Sequence, residues 1–270
     1  MKLRTGIAIS ACVIFLLFLL FPLYIMLKMS VSPPQEVFRE RPSYGITQLT
    51  WQHFSRVFDS GEVFYGPLRR SAGTAFWVTA LALLIAIPAA YGAARLPVRA
   101  RLALLFIMFA GRMVPEVSLA LPIAVRFMRM GLFDSMGGLV LAHLIRVLPV
   151  SCFILVSVFS AFPRELEEQA SIDGCSRVGT IARIVLPLSL PGIAVAGLFA
   201  FLLSWDEFIY ASYLTLAHPT MPLQVYYYVS RGSLFYAATY AVIITIPVLV
   251  VTFLLQRHIR PELMAGGLKG

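Results

Sequence analysis

The chain has 270 residues, of which 59% are hydrophobic and only 13% charged, against about 45–50% and about 25% in soluble domains. A mean hydropathy of +0.84 leaves no room for a large water-soluble domain, and the net charge of +9 reads as basic loops holding a membrane topology rather than as a nucleic-acid surface. The apolar runs are continuous over about 20 residues and do not alternate, which points to helices and away from a transmembrane barrel.

The expected class is an all-α, polytopic membrane protein with six transmembrane helices, at about 6–28, 71–94, 102–125, 137–161, 188–213 and 234–256. Lys2 and Arg4 precede the first run. That run exceeds the roughly 7–15 apolar residues of a signal peptide, so a retained first helix is expected. A polar stretch follows, holding Ser32-Pro33-Pro34 and the segment Leu49 to Phe54, which is amphipathic enough to lie on a membrane surface. Residues 1–70 therefore read as a first helix plus an outer loop. Residues 71–257 read as the transmembrane core, and 258–270 as a tail.

The next connection is short and purely basic, with Arg95, Arg99 and Arg101. By the positive-inside rule it is cytoplasmic, which places both termini and residues 162–187 inside as well. Arg69, Arg70, Arg126 and Arg129 run against this assignment on the outer side.

Charged groups inside apolar runs cost at least about 2.5–3.5 kcal/mol each at a helix centre and default to functional candidates. Arg112 and Glu116 lie four apart in the third run, so a helix would put them on one face, either neutralising one another or lining a pathway. Arg146 stands three residues before Pro149, where a distorted helix admits water. In the fifth run, Trp205, Asp206, Glu207 and Tyr210 combine aromatic rings with carboxylates, a pairing that grips sugars. Asp206 and Tyr210 would share a helical face. The competing reading of these four is interfacial or packing aromatics. The run Tyr226-Tyr227-Tyr228 reads as packing.

Cys12, Cys152, Cys175 and four histidines are scattered, without metal or disulfide spacing. No phosphate loop, nucleophile elbow or His-Glu-x-x-His occurs, so neither ATP binding nor catalysis is expected of this chain.

The most informative stretch is the loop 163–187. Pro163 reads as a first helical residue, with Glu165, Glu167 and Glu168 in or near the first turn, where the helix dipole favours acids. Asp173-Gly174 permits a sharp reversal. An amphipathic arm from Ser176 to Val185 then runs to Pro187. The order Glu168-Gln169-Ala170-Ser171-Ile172-Asp173-Gly174, nine residues, then Ile184-Val185-Leu186-Pro187 resembles the EAA loop of ABC-importer permeases. Ala89 to Arg95, Gly131 to Asp134, Trp205 to Phe208 and Thr220 to Leu223 resemble further segments of the maltose-type carbohydrate permeases, in the same order. The ending with Gly266, Lys269 and Gly270 is similar to theirs. Departures are Gln169 for the commoner Ala, Arg70-Ser71 for Asn-Ser, Asp206-Glu207 for Asn-Asp, and Glu262 for a Gly.

The resemblance implies a type I ABC-importer permease fold in the inner membrane of a prokaryote. It implies that the loop docks on a cytoplasmic ATPase through Glu168, Ala170, Asp173, Gly174, Ile184, Leu186 and Pro187. The tail would reach the ATPase through Gly266, Gly267 and Lys269. Implied partners are a second permease subunit, two copies of the ATPase, an extracytoplasmic sugar-binding protein and membrane lipid. ATP and magnesium would sit on the ATPase, with no cofactor in this chain. Substrate-path candidates are Trp205, Asp206, Glu207, Tyr210, Glu116 and Arg146, and the implied cargo is a di- or oligosaccharide. Two alternatives stay open: an ABC permease for another solute such as glycerol phosphate, and an ion-coupled secondary transporter. The second would use Glu116, Arg146 and Asp206 as an ion path but has no place for the loop pattern.

Overall fold

The computed structural model describes residues 2–40 and 43–256. Gly266, Gly267 and Lys269 lie outside the described residues. The regular elements of those residues are all helical. Four helices are continuous and apolar enough to cross a membrane, and two bent pairs bring the number to six if each pair is one span.

The chain forms two compact units. The first joins residues 1–68 to 221–247. Its long helix α1 (Lys2–Val31) exposes every side chain from Ile9 to Tyr24, as a helix facing lipid or another chain would. Beyond Val31 the polar stretch is not loose. It holds α2 (Pro34–Val37) and α3 (Gln52–Asp59), packed through polar contacts. Buried Glu36 accepts from the Thr47 and Gln48 N–H groups at 3.0 and 2.9 Å, and the Thr50 N–H donates to the Val31 carbonyl at 2.8 Å. Of the amphipathic segment, His53 is buried and stacks on Phe235 at 5.2 Å, while Trp51 stays exposed. Phe235 belongs to α14 (Leu234–Gln256), which follows α13 (Met221–Ser230). Val57, Phe64, Met221 and Tyr240 close this unit's core, and Tyr228 packs its ring against Tyr236 and Tyr240.

Of the described residues, the second unit holds 69–220 and 248–256. Helix α4 (Glu62–Ala94) begins well before the expected 71 and has 33 residues. At 1.5 Å per residue it is about 50 Å long, more than the roughly 30 Å of hydrocarbon. Its small residues Ala86, Ala90, Ala93 and Ala94 allow close packing by Leu155 and Phe159 of α7 (Met136–Ser160) and Ala196 of α11 (Leu190–Trp205). Helices α7 and α11 approach closely at Gly192, where any Cβ would collide with the Val158 side chain. Helix α7 runs on through Pro149 without a break.

Two expected spans are broken instead of straight. The third consists of α5 (Val98–Ala110), a 3-10 turn at Gly111–Met113, and α6 (Glu116–Arg129), bent by 82°. Pro115 disfavours a helical Val114, which is extended at ψ 125°. The fifth span was expected to begin near 188 and run to 213. It starts at Leu190, bent 75° from the segment before it, and stops at Trp205, with a separate α12 (Ile209–Leu214) following.

Candidate functional sites

The loop 163–187 is a helix, a reversal and a second arm. In α8 (Arg164–Ile172), Pro163 stands one residue before the helix rather than in it, and Glu165 and Glu167 occupy the first turn. Gly174 has φ +84°, as the Asp-Gly pair suggested, and the reversal is closed by Gly174 N–H to the Ser171 carbonyl at 3.1 Å and Cys175 N–H to the Ala170 carbonyl at 2.9 Å. Ser176 Oγ then accepts from the Gly179 N–H at 3.2 Å and caps α9 (Arg177–Thr180). The arm expected to be one amphipathic helix changes to a π-helix over Ile181–Val185 before α10 (Leu186–Leu188). Pro187 has no N–H to return to the preceding turn, and Leu186 N–H bonds the Ile181 carbonyl instead.

Glu168, Asp173, Gly174 and Pro187 are exposed, Ala170 is buried, and Ile184 and Leu186 are half-buried. Ile172 and Val178, which sequence reasoning missed, are 84% and 76% exposed on either side of the reversal. Their signal in the sequence was two apolar residues within charged arms.

The charged residues of the apolar runs pair differently from expectation. Arg112 stands in the 3-10 turn and Glu116 opens α6, so the break at Val114-Pro115 removes the shared face. Glu116 Oε1 instead lies 3.5 Å from Arg146 Nε of α7.

The fifth-span set is split. Because α11 ends at Trp205, Asp206 and Tyr210 share no helical face. Asp206 is exposed. Trp205 is buried and stacks on Phe201 at 5.6 Å. Tyr210, 1% exposed, packs in a core with Ala120, Ala124 and Leu139. Glu207 turns inward, accepting from the N–H groups of Tyr210 and Ala211 at 2.7 and 3.1 Å. Its Oε2 lies 3.1 Å from His143 Nε2, and His143 Nδ1 lies 2.8 Å from Ser204 Oγ. His143 escaped sequence reasoning, since only the fold carries it across the 61 residues to Ser204.

A third polar centre joins two connections and α4. Asp134 holds φ +54°, unusual for a residue with a side chain. Its carboxylate accepts from Leu216 and Ala217 N–H at 3.2 and 3.1 Å and meets His218 Nδ1 at 3.1 Å. Arg70 Nη2 donates to its carbonyl at 2.9 Å. Burial pushes the Asp134 carboxyl up, but the Ala217 and Leu216 N–H groups and His218 outweigh it and hold the group below the usual carboxylate range.

The family model for the inner membrane component of binding-protein-dependent transport systems matches residues 76–264. The sulfoquinovosyl glycerol transport permease SmoH of Agrobacterium fabrum is 35% identical over 71% of this chain and 69% of its own. The trehalose/maltose transport permease MalG of Thermococcus litoralis is 31% identical over 82% of each. A chain from the crystal structure of a bacterial ABC transporter that imports the acidic polysaccharide alginate matches with a TM-score of 0.78 at 19% identity, over 96% of this chain and 97% of that one.

Proposed function

The chain belongs to the family of binding-protein-dependent transport system inner membrane components, and from that premise we propose that it is a permease subunit of an ATP-driven carbohydrate importer. The observation that carries this reading is the loop 163–187: an acidic helix, a glycine reversal and two exposed apolar side chains, Ile172 and Val178, offered away from the packed helices. Ile172 and Val178 give a partner apolar surface to cover beside the acidic helix. Relatives named for trehalose, maltose and sulfoquinovosyl glycerol transport support a saccharide cargo.

In this reading the loop faces the cytoplasm, with both termini on that side. Two ATPase copies, a second permease and an extracytoplasmic binding protein complete the machine. Closure of the ATPases on ATP pushes α8, and the broken third and fifth spans rearrange. Coupling requires that the closed ATPases bind one state of the spans better than the other. Asp206, with the Glu116–Arg146 pair, offers hydroxyl-binding groups to the path, while Trp205, Glu207 and Tyr210 support its wall.

The test is uptake of labelled trehalose and maltose into proteoliposomes holding the reconstituted complex with its binding protein. Uptake that needs internal ATP and ignores a collapsed proton gradient supports the reading. Uptake driven by an ion gradient without ATP overturns it.

A further inference from the structure

Glu167 and Glu168 are neighbours with different surroundings. Glu168 is exposed. Glu167 turns inward, where one carboxylate oxygen accepts from the Tyr91 hydroxyl at 2.7 Å and the other is ion-paired with Arg95. The guanidinium of Arg95 lies over the Tyr91 ring, 4.8 Å from its centre, and its Nη1 donates to the Phe159 carbonyl at 3.0 Å. Tyr91 belongs to the last turn of α4, Arg95 immediately follows that helix, Phe159 lies one residue before the end of α7, and Glu167 is in the first turn of α8. Three helix ends therefore meet at one guanidinium.

The chemistry suits a mechanical joint. Arg presents several donors in a rigid fork, so one side chain serves a carboxylate, a carbonyl and an aromatic face at once, which a lysine does not. The ion-paired side chains are only 22% and 18% exposed, so the pair is shielded more than an ordinary surface bridge, which is worth about 0–1 kcal/mol. Apart from these contacts, α8 is tied to α7 by residues 161–163 and packs on the arm that follows it, with Ala170 buried, so the Arg95 cluster is what joins it to the ends of α4 and α7.

We propose that Tyr91, Arg95 and Glu167 form a latch that fixes α8 to the loop-side ends of α4 and α7, so that a push on α8 moves these helices as one body. The three are positioning residues; they act through α8 and touch no substrate. The proposal rests on the reading of residues 163–187 as the ATPase-docking loop.

The test uses the whole reconstituted complex with its binding protein. The quantities read are sugar imported per ATP hydrolysed and ATPase subunits retained on purification. Glu167→Gln and Arg95→Gln should each lower sugar per ATP about fivefold while retention stays normal. The double variant should be no worse than the worse single one, because both break one link. Tyr91→Phe should cost about twofold. Spin labels at Glu165→Cys and Leu96→Cys should keep one narrow separation with and without trapped ATP, and broaden when Glu167→Gln is added. Additive losses, an unchanged sugar-to-ATP ratio, or ATPase subunits shed by Glu167→Gln would each overturn the latch. The docking reading fails separately, if Gly174→Asp leaves both ATPase retention and uptake unchanged.

Discussion

Glu207 and His143 meet at 3.1 Å inside the second unit, one from the break that ends α11 and the other from the first third of α7. The carboxylate also serves as the cap of α12, taking the N–H groups of Tyr210 and Ala211 that no preceding turn can satisfy. A charged group is tolerated there because its oxygens are occupied from both sides, and the break in the fifth span is stable because the acid fills it.

Removing Glu207 leaves the buried N–H groups of Tyr210 and Ala211 without their acceptor, at a cost of about 1–3 kcal/mol for each. Glu207→Ala should therefore lower the melting temperature of the purified protein markedly and reduce its amount in membranes. Glu207→Gln, which keeps one acceptor, should be milder. Equal melting of Glu207→Ala and wild type would show that the break holds without its acid.

Tyr210→Ala should act on stability, since it empties a core position closed by Ala120, Ala124 and Leu139. Aromatic truncation of this kind costs about 3–5 kcal/mol. Asp206→Ala should melt close to wild type and lower sugar uptake at equal expression, because Asp206 is exposed. Radiolabelled uptake and thermal unfolding, measured on both variants, separate the two effects.

Gly174→Asp should abolish coupled uptake while the protein still inserts. The glycine's φ of +84° is strained for any side chain, at a cost of about 1–2 kcal/mol, even though no neighbouring atom lies within 4 Å of where a Cβ would stand. Ile172→Asp and Val178→Asp should each shed ATPase subunits without changing the melting temperature, because both side chains are exposed. Co-purification with the ATPase reads the outcome.

The Asp134 clasp predicts a pH dependence with a definite sign. Its carboxyl is held below the ordinary value. Its contribution to stability is therefore fully present above the unfolded pKa of about 3.9 and is lost as pH falls through the folded value. Melting of the wild type should be insensitive to this group between about pH 5 and about pH 8, and should drop on further acidification. Asp134→Asn should flatten that acid limb. An unchanged acid limb in the variant would show that the clasp does not report on folding.

The loop 163–187 was legible because its signals are local. Acids in a first turn and a glycine where φ is positive act within a few residues, and the structure places each in that role at Glu165 and Gly174, whereas the arm expected to end at Pro187 runs on to Leu188. Apolar run length likewise located the spans, since a bilayer selects for it directly. The faces of the third and fifth spans were misread because four-residue spacing assumes an unbroken helix. Pro115 breaks the third after Val114, and the fifth stops at Trp205, after which Glu207 caps α12 and meets His143 from α7. Sequence by itself determined the helical class, the apolar spans and the reversal of the loop. Tertiary structure alone decided that Glu116 pairs with Arg146, that Glu207 is buried with His143, and that Glu167 is held by Tyr91 and Arg95. The physical reason is that a charge in an apolar interior takes the nearest opposite group in space, and the helices that bring that group near are separated from it by dozens of residues in the chain.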